Sequence, residues 1–158
     1  MEKMKLSSAG VELIKKFEGC LLKAYKCPAG VWTIGFGHTQ NVTPDMVITA
    51  EKAEELLRTD IRPIERTINA MGINLTQRSF DALVSWIYNL GAGNFKSSTM
   101  FRKIAADAAD LDITDQLVRW INAGGKPLLG LKRRRVAEAN MWLGKELYYI
   151  DESGNIKR

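Results

Sequence analysis

The sequence predicts an α+β fold that is mainly helical, with one small β-hairpin lobe near the N-terminus. Three observations carry that expectation. A short helical pattern gives way to a β-branched and aromatic stretch interrupted by Pro28-Ala29-Gly30. From Thr49 the apolar period lengthens from two residues to about 3.6. Almost every later segment keeps that helical period. At 158 residues and 46% hydrophobic content, the chain is long enough for one substantial core and too short for two ordinary domains. The expected organisation of residues 1–158 is therefore a single domain. Within it, about 1–48 form a β-containing lobe, about 49–72 a linking helix, about 73–145 a helical lobe, and 146–158 a tail.

The first helix is signalled by Ser7 and Ser8 as N-caps, followed by Leu13, Ile14 and Phe17 on one face with Lys15 and Lys16 opposite. It should stop at Gly19. Tyr25 to Cys27 and Val31 to Phe36 read as the two strands of a hairpin. A turn or short strand is expected over Asn41 to Asp45, where Pro44 argues against a central strand. Ala53, Leu56, Leu57, Ile61, Ile64 and Ile68 form one apolar stripe of a long helix, with a bend expected at Pro63. The next helix opens on Leu75, the cap Thr76 and Phe80, the pattern of a hydrophobic staple, and runs to Gly91. Gly91 to Asn94 is expected as a loop. Helices are expected over Ser97 to Ala106, Ile113 to Asn122 and roughly Leu131 to Leu143, and the last residues as a short hairpin or a frayed end.

No stretch approaches the roughly 18 to 20 apolar residues of a membrane span, and the N-terminus lacks the apolar centre of a signal peptide. A soluble chain made in the cytoplasm is the expectation, with no stable membrane insertion. Two cysteines and one histidine match no zinc pattern, so neither metal nor cofactor is expected. The formal charge of +5 suggests an anionic partner. Nucleic acid is disfavoured, because no recognised binding motif accompanies the basic run Lys132 to Arg135.

Glu18 ends the first helix between Phe17 and Gly19, where an apolar wall would suit a carboxyl that donates a proton. A negative charge at a helix C-terminus is electrostatically disfavoured, which points weakly to function. The stronger signal is composite. Glu18, eight residues, Cys27, five residues, Thr33 and then Ile34-Gly35-Phe36-Gly37-His38 together resemble the active-site signature of the tailed-phage lysozymes, glycoside hydrolase family 24. The segments DALVSWIYNLGAGNFKSST and RWINAGGKPLLGLKRRR also resemble that family, so the likeness covers about residues 7 to 143.

The resemblance implies a lysozyme-like fold and a muramidase that cuts the β-1,4 bond between N-acetylmuramic acid and N-acetylglucosamine in peptidoglycan. It implies Glu18 as general acid, and Thr33 and Cys27 as the pair holding the attacking water, at a position where the family has aspartate or cysteine. A thiol beside a carboxylate is expected to be a feeble base, because the neighbouring charge raises its pKa. Water attack with inversion is therefore expected ahead of a retaining glycosyl-thioether route. Thr39, Tyr88 and Ser98 correspond to saccharide-contacting positions. His38 is expected to support the site from behind, and an arginine among Arg133, Arg134 and Arg135 to pair with Glu18. A Cys20–Cys27 disulfide that would disable the water site is a further possibility. The expected partner is bacterial peptidoglycan, attacked by a monomer. Release from the host cytoplasm to the wall would need a separate membrane-permeabilising protein. The competing reading is a wall-binding or scaffold module of the same fold whose catalysis has decayed.

Overall fold

The computed structural model describes residues 3–158. The chain forms two compact units, one made of residues 14–63 and the other of the remaining described residues.

In the smaller unit, the C-terminal half of helix α1 (Ser8–Glu18) leads into strands β1 (Leu21–Lys26) and β2 (Trp32–Gly35), which pair antiparallel with Tyr25 opposite Thr33 and Lys26 opposite Trp32. β1 starts several residues earlier than the composition suggested. It is held there by neighbours on both sides: Leu21 pairs with Gly35, while Lys23 forms a bridge to Val47. Residues 41–45 make turns rather than a strand. The N-terminal part of α2 (Ala50–Ala70) then supplies Ala53, Leu57 and Ile61, which are buried with Ile14, Ala24 and Ile34. Pro63 lies inside that helix.

Gly35 shows what this small core asks of the residue at that position. Its φ is +66°, and a Cβ would meet Ala53 Cβ at 3.4 Å. The backbone conformation calls for glycine, while the approach of α2 is ordinary van der Waals contact.

The larger unit is helical. α3 (Gln77–Leu90) begins at the predicted cap, Thr76 accepting a hydrogen bond from the Ser79 amide, and contributes the buried Phe80, Leu83, Val84, Trp86 and Ile87. It packs chiefly on α7 (Leu129–Leu143). Between them come α4 (Ala92–Ser97), α5 (Thr99–Ala105) and α6 (Asp110–Leu117). Trp86 sits edge-on to Trp120 at 5.2 Å and to Phe95 at 6.1 Å, an aromatic cluster suited to a helical core. Leu6 and Val11 are buried in the same unit, and Ser7 hydrogen-bonds Asp81 through its amide and its hydroxyl.

Two expectations need correcting. Gly91 to Asn94 is not a loop: α4 starts at Ala92, because fully burying Phe95 requires a helical turn beneath it. The helix expected to reach Asn122 ends at Leu117, and Asn122–Ala123 instead pairs with Lys126–Pro127 as hairpin β3–β4 across a Gly124-Gly125 turn with φ of 60° and 78°. Of the two forms expected for the tail, the structure has the hairpin, β5 (Tyr149–Ile150) on β6 (Ile156–Lys157). Among the described residues, no helix is long and apolar enough to cross a membrane.

Candidate active site

Glu18 is the last residue of α1 and is half-buried. Gly19 follows with φ +66°, its amide bonding Lys15 O at 3.1 Å, so the helix closes in a left-handed residue that turns the chain into β1. One turn back, Lys15 anchors this end. Its ammonium pairs with Glu54 on α2 and lies 5.5 Å from the centre of the Phe36 ring. The hydrogen bond and charge of Lys15 hold the Glu54 carboxyl below its ordinary range.

Cys27 stands where β1 enters the turn. Its amide donates to Val31 O at 3.0 Å, and Gly30 N donates to Cys27 O at 2.8 Å, closing the turn around Pro28 and Ala29. This folding leaves backbone amides aimed at the sulfur. Those of Val31 and then Ala29 lower the thiol pKa, opposed by some burial and assisted by the Thr33 hydroxyl. The expectation of a thiol raised by a neighbouring carboxylate is thus overturned: the hairpin turn is a small nest of N–H dipoles that favours the thiolate. Both cysteines are free thiols, Cys20 exposed and Cys27 partly exposed.

Thr33 lies on β2, only 4% exposed, and its hydroxyl donates to Val31 O at 3.0 Å. One hydroxyl proton thus serves Val31 O or the Cys27 sulfur, while the oxygen keeps lone pairs for a further donor. Three residues beyond the strand's end, His38 exchanges both backbone hydrogen bonds with Ile34 at 2.9 Å. The buried imidazole has Asp60 Oδ2 at 2.7 Å from Nδ1 and Gln40 O at 2.8 Å from Nε2. His38 therefore fixes the loop after β2 against α2. Thr39, next to it, is exposed.

The remaining candidates belong to the larger unit. Tyr88 is half-buried on α3. Ser98 is buried and caps α5, its hydroxyl donating to Phe95 O at 2.6 Å and accepting from Phe101 N at 3.0 Å. Arg134 and Arg135 are buried on α7 and converge on Glu138, a partner the sequence reading passed over although it lies four and three residues further along the same helix. Asp60 carries no such local signal, being brought to His38 only by tertiary structure. Among the described residues, no group of three His, Cys, Asp or Glu side chains could hold a metal ion.

The phage lysozyme family model matches residues 15–138. The endolysin of Acyrthosiphon pisum secondary endosymbiont phage 1 is 40% identical over 141 residues, covering 85% of this chain and 95% of that protein. The endolysin of Bacillus phage PZA is 42% identical over 139 residues, which are 85% of this chain but 54% of that longer protein. Among solved structures, the muramidase domain of SpmX from Asticaccaulis excentricus superposes with a TM-score of 0.82 at 38% identity, covering 88% of this chain and 97% of that one. Glu18, Cys27, Thr33 and His38 all fall inside the matched segment, and the chain belongs to the phage lysozyme family, glycoside hydrolases of the lysozyme type.

Proposed function

We propose that this protein is an endolysin that hydrolyses the β-1,4 bond between N-acetylmuramic acid and N-acetylglucosamine in bacterial peptidoglycan, by water attack with Glu18 as general acid. The observation that best supports the chemistry is the Cys27 turn, whose Val31 and Ala29 amides favour a thiolate without any carboxylate. In this reading Glu18 gives its proton to the departing glycosidic oxygen as the sugar takes on oxocarbenium character. The water approaches the opposite face, held between the Cys27 sulfur and the Thr33 hydroxyl. Its proton passes to the thiolate as the new bond to the anomeric carbon forms. Lys15 and the closed end of α1 keep the acid in place, and the His38–Asp60 pair keeps the loop after β2 in place.

The reading is tested with Glu18→Gln, which preserves shape and removes the proton. Wild type should clear suspended peptidoglycan and release reducing ends, while the variant should be slower by about 10³-fold or more. Equal clearing by both proteins would remove Glu18 from the mechanism. Wall binding by wild type without reducing ends would favour a non-catalytic module.

A further inference from the structure

The acid-free stretch of the chain that carries the most cations lies in the larger unit. Between Asp115 and Glu138 there is no carboxylate, and the stretch carries Arg119, Lys126, Lys132, Arg133, Arg134 and Arg135. Arg134 and Arg135 turn inward to Glu138. Arg119, Lys126 and Arg133 are exposed, and none has a carboxylate partner among the described residues. The Lys132 ammonium donates to Gly154 O, a neutral acceptor that leaves its charge uncompensated.

Two leucines stand among these cations. Every residue from 122 to 130 is exposed, and Leu128 and Leu129 show 46% and 49% of their surface to solvent. The β3–β4 hairpin lifts Lys126 and Pro127 into the chain just before Leu128, which opens α7. On α7, Leu129, Lys132 and Arg133 follow the i, i+3, i+4 spacing and share one face, turned away from the buried Arg134, Arg135 and Glu138. An adjacent apolar pair ringed by unneutralised cations is the reverse of what water favours on a protein surface.

We propose that this face docks peripherally on an anionic lipid bilayer, with Leu128 and Leu129 entering the headgroup boundary and Lys126, Lys132 and Arg133 meeting lipid phosphates. A second copy of the chain would bring like charges together. A purely hydrophilic polyanion would satisfy the cations and leave both leucines in water. An anionic bilayer satisfies both at once, through apolar burial and through its surface potential. The inference is independent of the catalytic roles of Glu18, Cys27 and Thr33.

The test is co-sedimentation of the full chain with extruded vesicles of phosphatidylcholine alone or of phosphatidylcholine mixed with phosphatidylglycerol, at physiological salt. Retention by the mixed vesicles and not by the neutral ones is expected. Replacing both Leu128 and Leu129 by serine should weaken that retention about tenfold, and Lys126→Gln with Arg133→Gln should weaken it by a similar factor. These substitutions are on the surface, so an unchanged thermal unfolding midpoint serves as the folding control. Val47, 69% exposed in the other unit, supplies the comparison: Val47→Ser should leave retention unchanged. The proposal is overturned by equal retention on both vesicles or none on either. It is equally overturned by full retention of the leucine variant, the mark of a polyanion site, or by a Val47→Ser loss as large as that of the leucine pair.

Discussion

Ser85 and Glu138 meet inside the helical unit, the serine hydroxyl donating to Glu138 Oε2 at 2.5 Å although both side chains are sealed from solvent. Arg135 Nη2 and Arg134 Nε reach the same oxygen at 3.2 and 3.3 Å. Arg135 Nε lies 2.8 Å from the other oxygen, a charge contact whose angle does not make it a hydrogen bond. Burial pushes the Glu138 carboxyl up, and the charges of Arg135 and Arg134 oppose it. Arg135 also donates to Asn89 Oδ1 at 2.9 Å, so this one carboxylate organises α3 and α7 together.

Removing one member of such a set leaves buried charge without its counterpart. Glu138→Gln should therefore lower unfolding stability by about 3–5 kcal/mol, and Ser85→Ala by about 1–3 kcal/mol, both read from urea denaturation. A Glu138→Gln variant as stable as wild type would show that the two arginines find other anions or water.

Cys27 gives a prediction in its reactivity. Because the Val31 and Ala29 amides lower its pKa, iodoacetamide should modify Cys27 with a pH midpoint below that of free N-acetylcysteine. Cys20→Ser supplies the background in which only Cys27 reacts. Adding Thr33→Val should move the midpoint upward, since a minor part of the lowering comes from the threonine hydroxyl. A midpoint equal to that of the free thiol would mean that the turn amides do not reach the sulfur.

At alkaline pH the sensitive group is Tyr148, which is 4% exposed and donates its hydroxyl to Asp115 Oδ1 at 2.6 Å. Burial, and then Asp115, push its pKa from 10.0 up to about 12. The folded value lies above the unfolded one, so this contribution is fully present below about pH 10 and fades as pH rises toward 12. The shift corresponds to roughly 3 kcal/mol. Wild type should lose stability steeply across that window, measured by denaturation at successive pH values. Tyr148→Phe should start less stable and lose much less over the same range.

Much of this architecture can be read from the residues, and the exceptions have physical causes. Thr76 and Phe80 announce α3 because the cap bond is local, and Gly19 announces the end of α1 for the same reason. The α4 start was hidden because glycines at 91 and 93 carry local turn chemistry, while burial of Phe95 is decided by tertiary packing. The β3–β4 hairpin was overlooked although Gly124-Gly125 is a strong turn signal, since the apolar spacing before it imitates a helix. At the proposed site, the motif of Glu18, Cys27 and Thr33 was legible through its resemblance to the phage lysozymes, and the roles given to the three residues are proposals that rest on it. The amides that tune Cys27 were not legible, because backbone dipoles have no letter in the sequence.

Gly35 tests how tightly the hairpin is held on α2. Gly35→Ala places a Cβ 3.4 Å from Ala53 Cβ on a residue with φ of +66°. The left-handed conformation costs an alanine about 1–2 kcal/mol, and the contact, of ordinary van der Waals length, adds no clash. Unfolding should shift by about that amount, and activity should fall with it, since Gly35 ends the strand that carries Thr33. A stable variant of undiminished activity would show that β2 can move off α2 without disturbing the site.

The proposed division of labour between Glu18 and Cys27 makes a claim about pH that replacement of the sulfur can settle. If the thiolate of Cys27 receives the proton of the attacking water, the rate should rise with pH as that thiol ionises. Cys27→Asp exchanges the thiol for a carboxylate that ionises at lower pH, so the rising limb should move to lower pH while substantial activity remains. Cys27→Ala removes the acceptor and should lower kcat by about 10²-fold or more, with little change in KM. Thr33→Val in the alanine background should then cost less than in wild type, because two groups that hold one water act as a unit. Equal costs in the two backgrounds, or an unmoved rising limb in Cys27→Asp, would separate the sulfur from the water and leave the hairpin a purely structural element.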